Sequence, residues 1–188
     1  MPQTGSRIIA SWPEASREAT QLVIDKYGEP DEATESQLTW LRPGEWKRIV
    51  ASKVFYEHAF PAPHQDSIES VIDYRVPPDK FSELAAFDGS VIVERTAGEV
   101  SARCHDEEAN RLALNLMHDI VTGAKTAQQA RDYYAKEFAD YRRGKPTPYM
   151  DKLHFRPPDG GTADPDTRAL SDAQLKDAKR EGEGRSAA

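Results

Sequence analysis

Between residues 106 and 143 the chain carries two apolar patterns at helical spacing, joined by about four residues. The first sets Ala109, Leu112, Ala113, Leu116, Met117, Ile120 and Val121 on one wide face and ends at Gly123. The second sets Ala127, Ala130, Tyr134, Phe138 and Tyr141 on a stripe that Gly144 and Pro146 terminate. Asp106 stands as the N-cap of the first, and Thr126 with Gln129 has capping-box spacing at the start of the second. Two helices joined so closely pack antiparallel, and their combined apolar face must be buried against another layer.

β-Prone segments supply that layer. In QLTWLRPGEWKRIVASKVFYEH, two such runs flank Pro43-Gly44, where proline presets the first turn position and glycine accepts positive φ. The hairpin expected there puts Leu38 and Trp40 on one face, and Trp46, Val50, Val54 and Tyr56 on one face of a long second strand. A second hairpin, SVIVERTAGEVSARC, turns at Thr96-Ala97-Gly98. The segment between them fits both periods. Asp66 and Glu69, at capping-box spacing, favour a short helix that becomes extended before Pro77. A further short helix is expected from Asp79 to about Gly89. A first helix is expected from an N-cap at Ser11, with Glu14 completing a capping box, through Ala15, Ala19, Leu22, Val23 and Tyr27 to a stop at Gly28 and Pro30.

The fold class expected is therefore α+β. One domain covers residues 11–155, with a small antiparallel sheet of two hairpins and a helix plus an antiparallel helical pair on one of its faces. Residues 1–10 show no pattern and are expected to be flexible. Residues 156–188 hold almost no large apolar side chains and many Gly, Pro and charges, so a disordered tail is expected, with a transient helix from Ser171 to about Arg180.

The charge balance, 25 Lys and Arg against 32 Asp and Glu, gives a net −7 and an acidic surface. That argues against nucleic acid and anionic membranes as partners. No apolar run approaches a membrane span, and MPQTGSRIIASWPEAS lacks a signal-peptide core, so a cytoplasmic protein is expected. The phosphate-loop, dinucleotide-fingerprint, zincin, nucleophile-elbow and calcium-loop motifs are all missing from the sequence.

Three candidate chemistries remain. Cys104, the single cysteine, lies just before a helix start and beside His105. A thiolate nucleophile would use that setting. Adjacent side chains diverge, however, so His105 is poorly placed as its base, and Asp106, Glu107 and Glu108 oppose a thiolate. Cys104 also shares strand parity with Val100 and Ala102, which reads as a small core residue at a strand-to-helix handover. HAFPAPHQD places His58, His64 and Asp66 close together, and these three with His105, or else His118, form a candidate metal set. Against that set, Asp66 reads as a helix cap. Finally, Glu94, Glu99 and Asp88 surround the second hairpin. Glu94 is the candidate acid or base among them, and pairing of Glu94 with Arg103 across the strands is the structural alternative.

Two resemblances stand beside this reading. The helix–Gly-x-Pro–hairpin order of the first quarter resembles small outer-membrane assembly lipoproteins, whose lipid-attachment cysteine is missing here. The stretch from FPAPHQD through VIDYRVP, FDGSVIVERTAGEVSARC and EEANRLALNLMHDIVTGAKTAQQARDYY, roughly residues 12 to 140 with its surroundings, resembles a group of soluble bacterial proteins with no assigned activity. That resemblance implies a bacterial origin and one compact domain, and brings no catalytic residue. The function expected is a non-catalytic binding or assembly module without a cofactor. Its partner is expected to be another protein, or a second copy met through an exposed sheet edge or helix face. The alternative is a small metal-dependent enzyme using the His/Asp cluster and a divalent metal.

Overall fold

The structure, a computed structural model, describes residues 4–186, so Met1 to Gln3, Ala187 and Ala188, parts of the expected flexible ends, lie outside the described residues. The fold is α+β, as the pattern of the sequence implied. Helices α1 (Gly5–Ile9) and α2 (Glu14–Tyr27) precede four strands, β1 (Glu32–Ala33), β2 (Gln37–Leu41), β3 (Arg48–His58) and β4 (His64–Asp73). A 3-10 turn over Pro78–Lys80 leads into α3 (Phe81–Phe87), followed by β5 (Val91–Glu94) and β6 (Glu99–Cys104). Helices α4 (Glu107–Val121), α5 (Ala127–Arg142), α6 (Pro148–Asp151) and α7 (Asp172–Ser186) complete the chain.

The six strands form one antiparallel sheet in the order β1-β2-β3-β4-β6-β5. Its buried face is legible as rows across the ladders. Leu38 pairs with Ala51, Ala51 with Ile68, and Ile68 with Cys104, while Trp40, Ile49, Ser70 and Ala102 form the next row. All eight side chains are buried, so these rows of β2, β3, β4 and β6 deliver one continuous face to the helices. The α4 face meets it through Leu112, Leu116, Met117 and Ile120, each fully buried. Asn110, also on α4, is buried and donates from Nδ2 to Ile68 O at 3.0 Å and to Ser70 Oγ at 2.9 Å, which fixes the height of α4 over β4.

The caps expected at the helical pair are present: Asp106 accepts from Ala109 N at 2.8 Å, and Thr126 and Gln129 form a reciprocal capping box. Elsewhere local signals are overridden. Segment 64–73 is a strand, with Asp66 inside it and capping nothing, because pairing on both sides with β3 and β6 satisfies its backbone where an isolated helix turn would satisfy only part. This strand joins the two expected hairpins into one sheet. In β3 the register shifts between Ala51 and Tyr56, so parity breaks. Ile49 and Ala51 face inward, whereas Val54 and Tyr56 are 58% and 53% exposed, so of the residues expected on one face, Trp46, Val50, Val54 and Tyr56, only Trp46 is buried. Pro13 occupies the N-cap position of α2, and Ser11 donates to Ile8 O.

Contacts also reach toward both ends of the chain. Residues 5–9 are helical, with Ile8 and Ile9 buried in the core beside Trp12, whose Nε1 donates to Glu35 O at 2.9 Å. In the stretch after 155, Thr162 is buried against the β5–β6 turn, where its Oγ1 donates to Gly98 O at 2.7 Å and Asp164 N donates to Arg95 O at 3.1 Å. Backbone pairing with a turn needs no large apolar side chain, which is why composition does not reveal it. Among the described residues no helix is long and apolar enough to cross a membrane.

Candidate metal centre

Strands β3 and β4 are linked by residues 59–63, which include a cis Phe60–Pro61 bond. The ladder resumes so that His58 pairs with His64 and Tyr56 with Asp66. This closure brings His58, His64 and Asp66 together: one ligand atom from each lies within 4.8 Å of the other two. His58 Nδ1 is 3.1 Å from Asp66 Oδ2, and His64 Nε2 is 2.9 Å from Asp66 Oδ1. The Asp66 side chain is 1% exposed.

Each member is held from outside the trio. His64 Nδ1 is 2.8 Å from Ala62 O, and a carbonyl can only accept, so the Nδ1 proton points there and Nε2 turns inward. Ser90 Oγ donates to Asp66 Oδ2 at 2.5 Å and lies 3.3 Å from His58 Nδ1. Behind His58, Asp88 Oδ1 is 3.7 Å from Nε2, and Asp88 in turn accepts from Ser90 N at 2.7 Å. A histidine backed by a carbonyl, a histidine backed by a carboxylate and a carboxylate backed by a hydroxyl form the outer shell that orients metal ligands.

Asp66 Oδ1 is buried, and the one polar atom that approaches it among the described residues is His64 Nε2 at 2.9 Å. The close Nε2–Oδ1 approach calls for positive charge between the two groups, either a proton on Nε2 or a bound cation in its place. The Asp66 carboxylate raises the pKa of His64 against the opposing effect of burial. Burial alone would raise Asp66, but His64, Ser90 and His58 outweigh it and hold its carboxyl below the usual range. Burial pushes Asp88 up.

Cys104 stands beside this group, with Sγ 3.3 Å from His64 Nε2 and 3.9 Å from Tyr134 OH. The arrangement is not a nucleophilic triad. In a triad the thiol and the carboxylate take opposite nitrogens of the ring, and here both approach Nε2. Cys104 is buried, and burial together with Asp66 and Asp106 pushes its thiol well up, which disfavours a free thiolate.

Of the sequence candidates, His58, His64 and Asp66 converge, and Cys104 adjoins them. His105 does not join the trio. It follows Cys104 directly, so its side chain diverges, and it is exposed on the wall of a neighbouring cleft. Glu94 is also elsewhere, exposed at the β5–β6 turn and accepting from Thr96 N and Ala97 N at 3.1 and 2.9 Å. Its ladder partner is Glu99 and not Arg103, which pairs with Glu69. His118 belongs to another cluster, with Nδ1 2.8 Å from Tyr74 OH and its ring stacked on Phe155 at 4.3 Å. Ser90, Tyr134 and the Ala62 carbonyl were not foreseen as site groups. The Asp-Gly-Ser turn at 88–90 was the available signal for the first.

The cleft, about 590 Å³, is lined by His64, Cys104, His105, Tyr134, Phe138 and Arg142 among others. The trio is thus reached from solvent on its His64 side. No family profile, curated protein or solved structure matches the chain.

Proposed function

We propose that this protein is a divalent transition-metal-binding module, with His58, His64 and Asp66 as ligands. The observation that carries the reading is the convergence of His58, His64 and the buried Asp66, with one ligand atom from each within 4.8 Å of the other two and His64 Nε2 turned inward. Two imidazoles and one carboxylate suit zinc, cobalt, iron or nickel over magnesium or calcium, which prefer all-oxygen cages. The ion would tie the closing loop of β3 and β4 to the Asp88–Ser90 turn and so shape one wall of the cleft. In this role it supports binding of a protein partner or a second copy at the cleft, and the module is non-catalytic. A bacterial cytoplasm suits a centre beside one reduced thiol.

The test is metal content. Tag-free protein equilibrated with zinc and then desalted is expected to hold about one equivalent per chain, counted against the stoichiometry of a single site. His64→Ala and Asp66→Asn should lose it while His105→Ala keeps it, with circular dichroism confirming each fold. A folded wild-type chain that retains no zinc overturns the reading and leaves a His64 imidazolium paired with Asp66.

A metal-dependent enzyme would need the fourth coordination position open to the cleft. What occupies that position is therefore decisive.

A further inference from the structure

Cys104 sits at the end of β6, directly across the ladder from Ile68, which is two residues from Asp66 along β4. Its side chain shares the buried row Leu38, Ala51, Ile68, so β6 carries Sγ to the same end of the sheet where the trio converges. Distances allow a comparison with a tetrahedral ion. Metal–N and metal–O bonds of about 2.0–2.1 Å and a metal–S bond of about 2.3 Å set donor–donor edges of about 3.3 Å for N/O pairs and about 3.6 Å for an N–S pair. The edges here are 2.9 Å for His64 Nε2–Asp66 Oδ1 and 3.3 Å for His64 Nε2–Cys104 Sγ, while His58 Nδ1 meets the other carboxylate oxygen, Oδ2, at 3.1 Å. Both edges at His64 are a few tenths of an ångström shorter than those of a loaded site, so an ion would spread these donors and draw Sγ in toward the group that His58, His64 and Asp66 already form.

Resting on the metal reading above, we infer that Cys104 supplies the fourth donor, closing a centre of two histidines, one aspartate and one cysteine. On loading, the Cys104 S–H bond breaks, the proton leaves to solvent, and a sulfur–metal bond forms without any change of metal oxidation state. Sγ approaches from the His64 side, which is also the cleft side, so the bound thiolate separates the ion from the cleft. Tyr134, whose hydroxyl is already 3.9 Å from Sγ, becomes an outer-shell donor to the thiolate. With four protein ligands the centre is of the closed, structural kind, and a thiolate narrows its selection further toward zinc and cobalt.

Cobalt(II) reads this directly. Titrated into the full metal-free chain, it is expected to produce visible d–d bands of a four-coordinate site together with a near-ultraviolet thiolate-to-cobalt charge-transfer band. Cys104→Ser should lose the charge-transfer band and keep visible absorption from the remaining ligands. If Cys104→Ser does not fold, sulfur K-edge absorption of the cobalt-loaded wild type, which shows whether the sulfur of Cys104 is metal-bound, gives the same answer. Visible bands without charge transfer in the wild type would overturn the thiolate ligand while leaving the His/Asp centre standing. A folded wild type with no bands at all would overturn both.

Discussion

His58 stands directly opposite His64 in the β3–β4 ladder, with ring centroids 4.9 Å apart. Two imidazoles held on paired strands lose little freedom when they share an ion, so binding energy goes into stability. At a zinc concentration about 100 times the dissociation constant, linkage adds about 2.7 kcal/mol, or about 5–10 °C in Tm for a chain of this size. Thermal melts with zinc and with a chelator should show that difference in the wild type and none in His58→Ala.

Glu107 is the centre of a second buried cluster. Its carboxylate accepts from Lys26 Nζ at 2.8 Å, Tyr27 OH at 2.7 Å and Trp46 Nε1 at 2.8 Å, and it pairs with Arg111. Removing it leaves Arg111 largely buried with only Glu45 opposite. Glu107→Ala should cost about 3–5 kcal/mol in urea unfolding, far more than a surface substitution. Trp46 fluorescence in the native state should shift as its indole loses its acceptor.

Glu99 lies between Arg48 and Lys47, at 2.6 and 2.8 Å, and Arg48 first, then Lys47, lowers its pKa from 4.5 to about 2. A depressed carboxylate stabilises the fold fully above its unfolded pKa, and that contribution disappears as pH falls from about 4.5 toward about 2. Both cations are about a third exposed, so the net worth is on the order of 1 kcal/mol. Glu99→Gln should be less stable than wild type by about that amount at pH 6, and the two should converge near pH 2. Urea titrations across the range check the sign.

Gly98 has φ +69°, and a Cβ there would lie 2.2 Å from the Thr162 backbone. Gly98→Ala should therefore displace the segment around Thr162 from the β5–β6 turn, at a cost on the order of 1–3 kcal/mol. Limited proteolysis should cut that segment sooner in the variant. Equal cleavage rates would show that the segment is not held by this contact.

The parts legible in the sequence are those decided within four residues. The α4 and α5 boundaries follow from Asp106, Thr126 and Gln129, whose side chains bond to backbone three positions away, and from apolar spacing that needs no partner to be counted. The parity of Cys104 with Val100 and Ala102 was legible for the same reason. Only the tertiary structure decided that 64–73 is a strand, because its period was ambiguous and its ladder partners lie in β3 and β6. The shift between Ala51 and Tyr56 re-aimed the end of β3, which no alternation pattern encodes. The candidate centre belongs to both levels. Its three ligand types were visible in HAFPAPHQD, but their convergence, and the approach of Ser90, Asp88 and Cys104 from later strands and turns, depend on long-range pairing. Residue identity is local, whereas the point at which lone pairs meet is set by the register of a whole sheet.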